Sequence, residues 1–125
     1  MVCKEFRFEA AHSLPNHDGK CRGLHGHSYR FQVECSGYVS DFAGAPDEGM
    51  VVDFGRLSAY WKKLEPGIDH RFLNDVIQVE FHPTTAENIA RYLLTLFRAE
   101  FEDTEVCHVD VVRVCETATA WAAAR

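Results

Sequence analysis

Two stretches of strict two-residue alternation constrain this chain more than anything else in it. In Cys3–Ser13, Phe6, Phe8, Ala10 and His12 share one parity while Glu5, Arg7 and Glu9 take the other. In His25–Cys35, His25, His27, Tyr29, Phe31, Val33 and Cys35 share a parity, and Ser28, Arg30, Gln32 and Glu34 oppose it. Successive side chains of a strand point to opposite faces, so each run predicts a half-buried strand; a helical period of 3.6 would scatter both patterns. Both apolar faces also carry imidazole at one end. His12 closes the first, and His25 with His27 opens the second. If the two strands pair, three imidazoles converge. Such a set suits a divalent metal, zinc as the first guess, with a fourth position left for substrate. The competing reading is a group of hydrogen-bonded core or edge histidines.

The rest of the chain reads as a small α+β arrangement. Gly37–Asp53, with Asp41, Gly44, Pro46, Asp47, Glu48 and Gly49, is a long turn, and Met50–Val52 predicts a short strand. Asp53 caps a helix whose apolar stripe is Phe54, Leu57, Trp61 and Leu64, ended by Pro66-Gly67. A second helix follows Pro83, with Thr84 and Glu87 spaced as a capping box and a stripe running from Ile89 to Phe101. A valine-rich strand is expected from about Val106 to Cys115, and a further short one over Thr117–Trp121. The order β-β-α-α-β-β predicts an antiparallel four-stranded sheet with two helices on one face. The other face is expected to carry apolar or imidazole groups and to be covered by copies of the same chain.

Length and composition narrow the function. A chain of 125 residues makes one domain, residues 1–125, with a modest core. No apolar run approaches membrane-spanning length and no charged-then-apolar leader precedes the first strand, so a cytoplasmic protein is expected. A formal charge of -6 without a basic cluster argues against nucleic acid as a partner. The 5 cysteines are an odd number, spaced neither as a disulfide framework nor as a metal knuckle. Cys3, Cys35, Cys107 and Cys115 lie in or beside apolar runs and read as small buried hydrophobes. Cys21 stands in a polar loop four residues before His25, as a metal ligand or a reactive thiol.

Between the helices lies Ile68-Asp69-His70-Arg71-Phe72-Leu73-Asn74. A carboxylate does not easily reach the ring of the very next residue. Asp69 either orients His70 through a turn, making a proton-transfer pair, or merely bonds backbone amides. Glu116 ends an apolar strand and either grips the N–H groups of a heterocycle or is solvated. His17 is loop-borne and can touch an anionic substrate. His82 and His108 read as structural.

Taken together, the strings F-E-A-A-His12, Cys21-R-G-L-His25-G-His27-S-Y, V-V-Asp53-F, Asp69-His70-R-F-L-Asn74, P-Thr84-Thr85-A-Glu87-Asn88 and Cys115-Glu116-T-A-T-A-W resemble the 6-pyruvoyl-tetrahydropterin synthase / 6-carboxy-tetrahydropterin synthase family, from Phe6 to Trp121. The resemblance implies one zinc per chain on His12, His25 and His27. It implies catalysis by Cys21 with Asp69 and His70, and pterin binding by Glu116 with Thr84 and Thr85. It also implies the tunnelling fold, in which trimers close a barrel and stack as hexamers. The three residues between Cys21 and H-G-H resemble the bacterial 6-carboxy-tetrahydropterin synthases of queuosine biosynthesis, although Arg22 and Gly23 depart from the usual order in that loop. The implied reaction turns 7,8-dihydroneopterin triphosphate into 6-carboxy-5,6,7,8-tetrahydropterin, releasing acetaldehyde and triphosphate. The alternatives are the related 6-pyruvoyl-tetrahydropterin synthase and a non-catalytic pterin- or purine-binding oligomer.

Overall fold

The computed structural model describes residues 1–101 and 107–125. Strand β1 spans Val2–His12 and β2 spans His25–Gly37. They pair antiparallel from Val2↔Cys35 to His12↔His25. Helix α1 (Phe54–Leu64) follows, then a two-residue strand β3 (Arg71–Phe72) and a single helical turn α2 (Leu73–Val76). Helix α3 (Ala86–Phe101), β4 (Cys107–Cys115) and β5 (Trp121–Ala124) complete the chain. Val106, the expected start of the valine-rich strand, lies outside the described residues.

The expected four-stranded antiparallel sheet is replaced by a mixed sheet of five strands in the order β3-β1-β2-β4-β5. The additional strand is β3, which pairs in parallel with the end of β1 at Ala10↔Arg71 and Ala11↔Phe72. Two residues are too few to show a period in the sequence, and only the return of the chain after α1 brings them beside β1. The sheet does not close into a barrel: β3 and β5 form its two edges. Met50–Val52 is not a strand either; it runs through a bend before the helix. The last strand starts at Trp121 because Thr117–Ala120 form the turn. The Thr117 hydroxyl oxygen accepts from the Ala120 amide at 3.0 Å, and the Glu116 amide donates to the Ala120 carbonyl at 3.1 Å.

One sheet face makes the core. Phe6, Phe8, Tyr29, Phe31 and Val33 all point there and are buried. Trp61 of α1 and Phe97 of α3 both close on Phe31, with ring centroids at 4.8 and 6.0 Å. Withdrawing a side chain the size of Phe31 from water is worth roughly 1.5–3 kcal/mol, and this aromatic cluster fixes both helices to one face. The α1 start follows the sequence reading, with the Asp53 carboxylate accepting from the Gly55 amide at 2.7 Å.

The start of α3 differs from that reading. Thr85, not Thr84, caps it, its hydroxyl accepting from the Asn88 amide at 3.3 Å. Thr84 is thereby released from the cap and is buried.

The opposite sheet face is polar, contrary to the apolar or imidazole surface expected. The histidines share the core parity, so they cannot also line this face. Here Glu5 meets Arg30 at 3.6 Å and Gln32 at 3.2 Å, Glu9 accepts from the Ser28 hydroxyl at 2.7 Å, and Glu34 meets Arg113 at 3.8 Å. Cys3 is exposed, while Cys35, Cys107 and Cys115 are buried as expected of small hydrophobes. Burial pushes the Cys35 thiol up to about 12, with the neighbouring Cys107 adding to the effect. No helix among the described residues is long and apolar enough to cross a membrane.

Candidate metal centre and neighbouring cavities

The register of β1 and β2 builds the histidine cluster. His12 lies directly opposite His25, and His27 opposite Ala10. All three side chains share the core parity, so they meet at the end of the aromatic stack. Ring centroids are 4.5 Å apart for His12 and His25, 5.2 Å for His12 and His27, and 5.0 Å for His25 and His27. One ring nitrogen from each can be chosen so that all lie within 4.8 Å of one another. Gly26, between the two histidines of β2, lets the strands approach here. A Cβ on it would stand 3.2 Å from the Ala10 carbonyl oxygen.

Hydrogen bonding fixes which nitrogens face inward. His12 Nδ1 is 2.7 Å from the Thr84 carbonyl oxygen, and His25 Nδ1 is 2.8 Å from that of Gly23. A carbonyl only accepts, so both Nδ1 atoms carry the hydrogen and both Nε2 atoms keep a free lone pair. The Nε2 atoms of His12, His25 and His27 are all buried without a hydrogen-bond partner. Buried polar atoms are normally satisfied, and three unpartnered ring nitrogens this close together are a donor set that can hold a cation. Burial is the main influence on the His12 imidazole and pushes its pKa down, against the Thr84 bond, which favours the charged ring. His12 therefore stays in the neutral form that binds metal. The donor set fits a divalent transition metal.

A residue given no role in the sequence reading holds this arrangement from behind. The Asn74 side-chain oxygen accepts from the Ser13 amide at 3.0 Å and from the Thr84 hydroxyl at 3.1 Å, and its Nδ2 donates to the Ser13 carbonyl at 2.9 Å. Thr84, locked this way, presents its carbonyl to His12. Asn74 thus clamps the end of β1 to the segment before α3. Nothing periodic in the sequence could show this, since the bond to Ser13 spans 61 residues of chain.

Glu116 reaches the same cluster from the end of β4. Its carboxylate oxygens lie 3.5 Å from His27 Nε2 and 4.0 Å from His12 Nε2. Beside it, Leu14, His17, Cys21, Thr85, Glu116 and Trp121 are among the residues that line a cavity of about 310 Å³. Cys21 is half-buried at the short 3₁₀ turn Lys20–Arg22, and its carbonyl accepts from the Leu14 amide at 2.9 Å. That bond closes the loop carrying His17. Thr85 reaches this cavity, whereas the Thr84 hydroxyl and carbonyl are engaged by Asn74 and His12.

Asp69 and His70 form a pair elsewhere. Asp69 Oδ2 is 2.7 Å from His70 Nδ1, and Asp69 Oδ1 accepts from the Glu9 amide at 2.8 Å. The His70 amide in turn donates to the Glu9 carbonyl at 2.6 Å. The Glu9 amide, helped by His70, holds the Asp69 carboxyl below the usual carboxylate range. His70 lines a second cavity, of about 490 Å³, with Glu9, His27, Ser28, Arg71 and Phe72 among its other walls. Cys21 does not line it. One chain therefore puts Cys21, Thr85 and Glu116 on one cavity, joined to the histidine cluster through Glu116, and His70 on another, which His27 also lines.

Three histidines thus meet at one end of the sheet with Glu116 against them, and Glu116 shares a cavity with Cys21, an arrangement suited to chemistry on a small molecule beside a metal. The family described as 6-pyruvoyl tetrahydropterin synthase matches residues 1–125, and the chain belongs to it. It is close to bacterial 6-carboxy-5,6,7,8-tetrahydropterin synthases. The protein of that name from Synechocystis sp. is 41% identical over 121 residues, 96% of this chain and 88% of its own length. The one from Haemophilus influenzae is 35% identical over 141 residues, 96% of this chain and 94% of its own length. Among solved structures, Caenorhabditis elegans 6-pyruvoyl tetrahydropterin synthase superposes with a TM-score of 0.81 at 26% identity, covering 99% of this chain and 93% of the nematode chain.

Proposed function

We propose that this protein is a zinc-dependent 6-carboxy-tetrahydropterin synthase, a carbon–carbon lyase of the queuosine (7-deazapurine) route. It converts 7,8-dihydroneopterin triphosphate to 6-carboxy-5,6,7,8-tetrahydropterin with release of acetaldehyde and triphosphate. The observation that carries this reading is the set of orphaned Nε2 atoms of His12, His25 and His27 beside the cavity lined by Cys21 and Glu116. One zinc per chain on these histidines supplies Lewis acidity toward the hydroxyls of the substrate side chain. Cys21 is the proton acceptor on the cavity side. Glu116 suits the paired N–H donors on the pyrimidine edge of a pterin, with Thr85 beside it; Thr84 acts through the carbonyl that orients His12. Asp69 holds His70 with its Nε2 outward, where it exchanges a proton with substrate.

Because His70 and Cys21 open to different cavities of one chain, the reading requires self-association, with His70 supplied to Cys21 by a neighbour. Trimers of chains stacked as hexamers, in the cytoplasm, are the assembly proposed. The second reading, 6-pyruvoyl-tetrahydropterin synthase, is favoured by the likeness to the nematode structure. Incubation with 7,8-dihydroneopterin triphosphate and mass analysis of the products separates the two. The carboxy product with acetaldehyde supports the lyase, a pyruvoyl product the runner-up, and unchanged substrate with tight pterin binding a non-catalytic oligomer.

A further inference from the structure

The loop between β1 and β2 holds one imidazole that neither the metal cluster nor the proton-transfer pair uses. His17 lines the cavity shared by Cys21 and Glu116. The Gly19 amide donates to its Nδ1 at 2.8 Å, so in the neutral ring the hydrogen sits on Nε2. This is the reverse of His12 and His25, whose Nδ1 atoms donate to carbonyls. His17 therefore offers a donor where those rings offer lone pairs, and it cannot extend their ligand set while it keeps the Gly19 bond. The exposed Asp18 carboxylate, 4.0 Å from Nδ1, is too far to compete for that atom. The loop is built around this ring position. The His17 amide donates to the Leu14 carbonyl at 2.9 Å, and the Leu14 amide donates to the Cys21 carbonyl at 2.9 Å. A Cβ on Gly19 would stand 3.0 Å from His17 Cε1 and 3.3 Å from Nδ1, so a side chain at position 19 would push the imidazole aside.

Charge decides what this donor meets. Glu87 and Glu116 bring two carboxylates to the cavity, and no lysine or arginine is among its described walls. Like charges repel, so phosphate groups are kept out and an uncharged ring with its own N–H donors fits. We propose that His17 is a specificity-determining residue for the heterocycle: its Nε2–H donates to a carbonyl oxygen or unprotonated ring nitrogen of the molecule whose N–H groups Glu116 accepts. The two residues then read a ring that carries donors and acceptors together, as a pterin does, and His17 meets that ring and not the triphosphate. This inference rests on the pterin reading above and adds to it a residue and the part of the substrate that the residue touches.

The test compares the parent, His17→Ala, Gly19→Ala and the double variant, with pterin itself as the uncharged probe and inorganic tripolyphosphate as the anionic one. Calorimetry should show pterin bound about threefold to tenfold more weakly by His17→Ala, the range of one lost hydrogen bond. Gly19→Ala should weaken it in the same direction by displacing the ring, and the double variant should be no weaker than His17→Ala alone. Tripolyphosphate affinity, metal content and circular dichroism should stay at the parent's values throughout. Nitrogen-15 NMR of the parent should find the His17 hydrogen on Nε2 and a shift of that signal when pterin is added, which a merely structural histidine would not give. Parent-like pterin affinity in His17→Ala, a His17 signal unmoved by bound pterin, or a loss confined to tripolyphosphate would overturn the proposal while leaving the pterin reading in place. A parent that binds no pterin would overturn both.

Discussion

Asp69 Oδ2 lies 2.7 Å from Nδ1 of the next residue, His70. Neighbouring side chains reach each other here because His70 has φ of 57°, in the left-handed region. Few residues other than glycine visit this region, with histidine among those enriched there. The turn is held by two backbone contacts to Glu9, through the Asp69 carboxylate and the His70 amide. The result is an imidazole, 78% exposed, whose Nδ1 donates to the carboxylate and whose Nε2 keeps its lone pair.

Asp69→Asn should reverse that tautomer. The amide oxygen can still accept from Glu9, but the amide nitrogen then faces His70 Nδ1 as a donor. The imidazole proton moves to Nε2, and the exposed lone pair is lost. Turnover should fall by about a hundredfold or more with little change in substrate KM. The parent's Asp69 also makes a pH-dependent contribution to stability. Its folded pKa is lowered, so the contribution is present above the ordinary carboxylate range and is lost as pH falls through the depressed folded value. Denaturant midpoints from pH 6 to 3 should drop more steeply for the parent than for Asp69→Asn; parallel curves would refute the linkage.

The histidine cluster should also lose function in acid, since a protonated imidazole cannot hold a metal. Metal content of His25→Ala and His27→Ala should fall close to zero, and full metal retention in both would remove the site. In the metal-free protein, burial lowers the pKa of His12, so the folded form takes up its proton less readily than the unfolded chain. Stability should then decline as pH falls from the ordinary histidine value of about 6.5 toward the lowered folded one, and level off below it. Urea midpoints of chelator-treated protein at pH 7.5 and 5.5 measure this. A midpoint rising toward acid would contradict the sign.

The two long strands and their histidines were legible because period two repeats over many residues, so parity alone assigns each side chain to a face. That alternation put His25 and His27 on one face of their strand and His12 on the apolar face of its own, and the pairing of the two strands then brought them together. Short or non-local features were not legible. β3 has only Arg71 and Phe72, and it exists because it docks on Ala10 and Ala11. The Thr84–Glu87 spacing satisfied a capping box, yet tertiary contacts with Asn74 and His12 took Thr84 away and shifted the cap to Thr85. The sheet's second face was misread because the imidazoles were allotted to it, although their parity is that of Phe31. Glu116 was recognised as an odd strand-end carboxylate, but its distance to the histidines depends on how β4 lies against β2.

Asn74 offers a test of that hidden support. Asn74→Ala removes both partners of the Ser13 backbone and the acceptor of the Thr84 hydroxyl. Leaving such groups unsatisfied costs about 1–3 kcal/mol of stability. His12 should lose the orientation imposed by the Thr84 carbonyl, and metal affinity should fall by about 10- to 100-fold, although Asn74 touches no metal. Asn74→Asp keeps both acceptor contacts and loses the donor to the Ser13 carbonyl, so its metal affinity should lie between the two. Parent-like affinity in Asn74→Ala, with the stability loss present, would restrict Asn74 to a purely structural role.

The separation of Cys21 from His70 leads to the last prediction. Cys21 lines the cavity with Glu116 and Thr85, and His70 lines another with Glu9 and Arg71. If both act on one substrate molecule, they come from different chains. Cys21→Ala and His70→Ala should each be inactive alone, while both keep their metal, since neither residue belongs to the histidine cluster. Partial dissociation and reassembly of a mixture should then restore part of the parent's turnover, because some shared sites pair an intact Cys21 with an intact His70 from the neighbour. Recovery should track the fraction of mixed oligomers measured by native mass spectrometry. Verified mixed oligomers without activity would place Cys21 and His70 in one chain's reaction path, and would require a rearrangement that brings the two cavities together. A monomer at micromolar concentration by light scattering, if fully active, would refute the shared site outright.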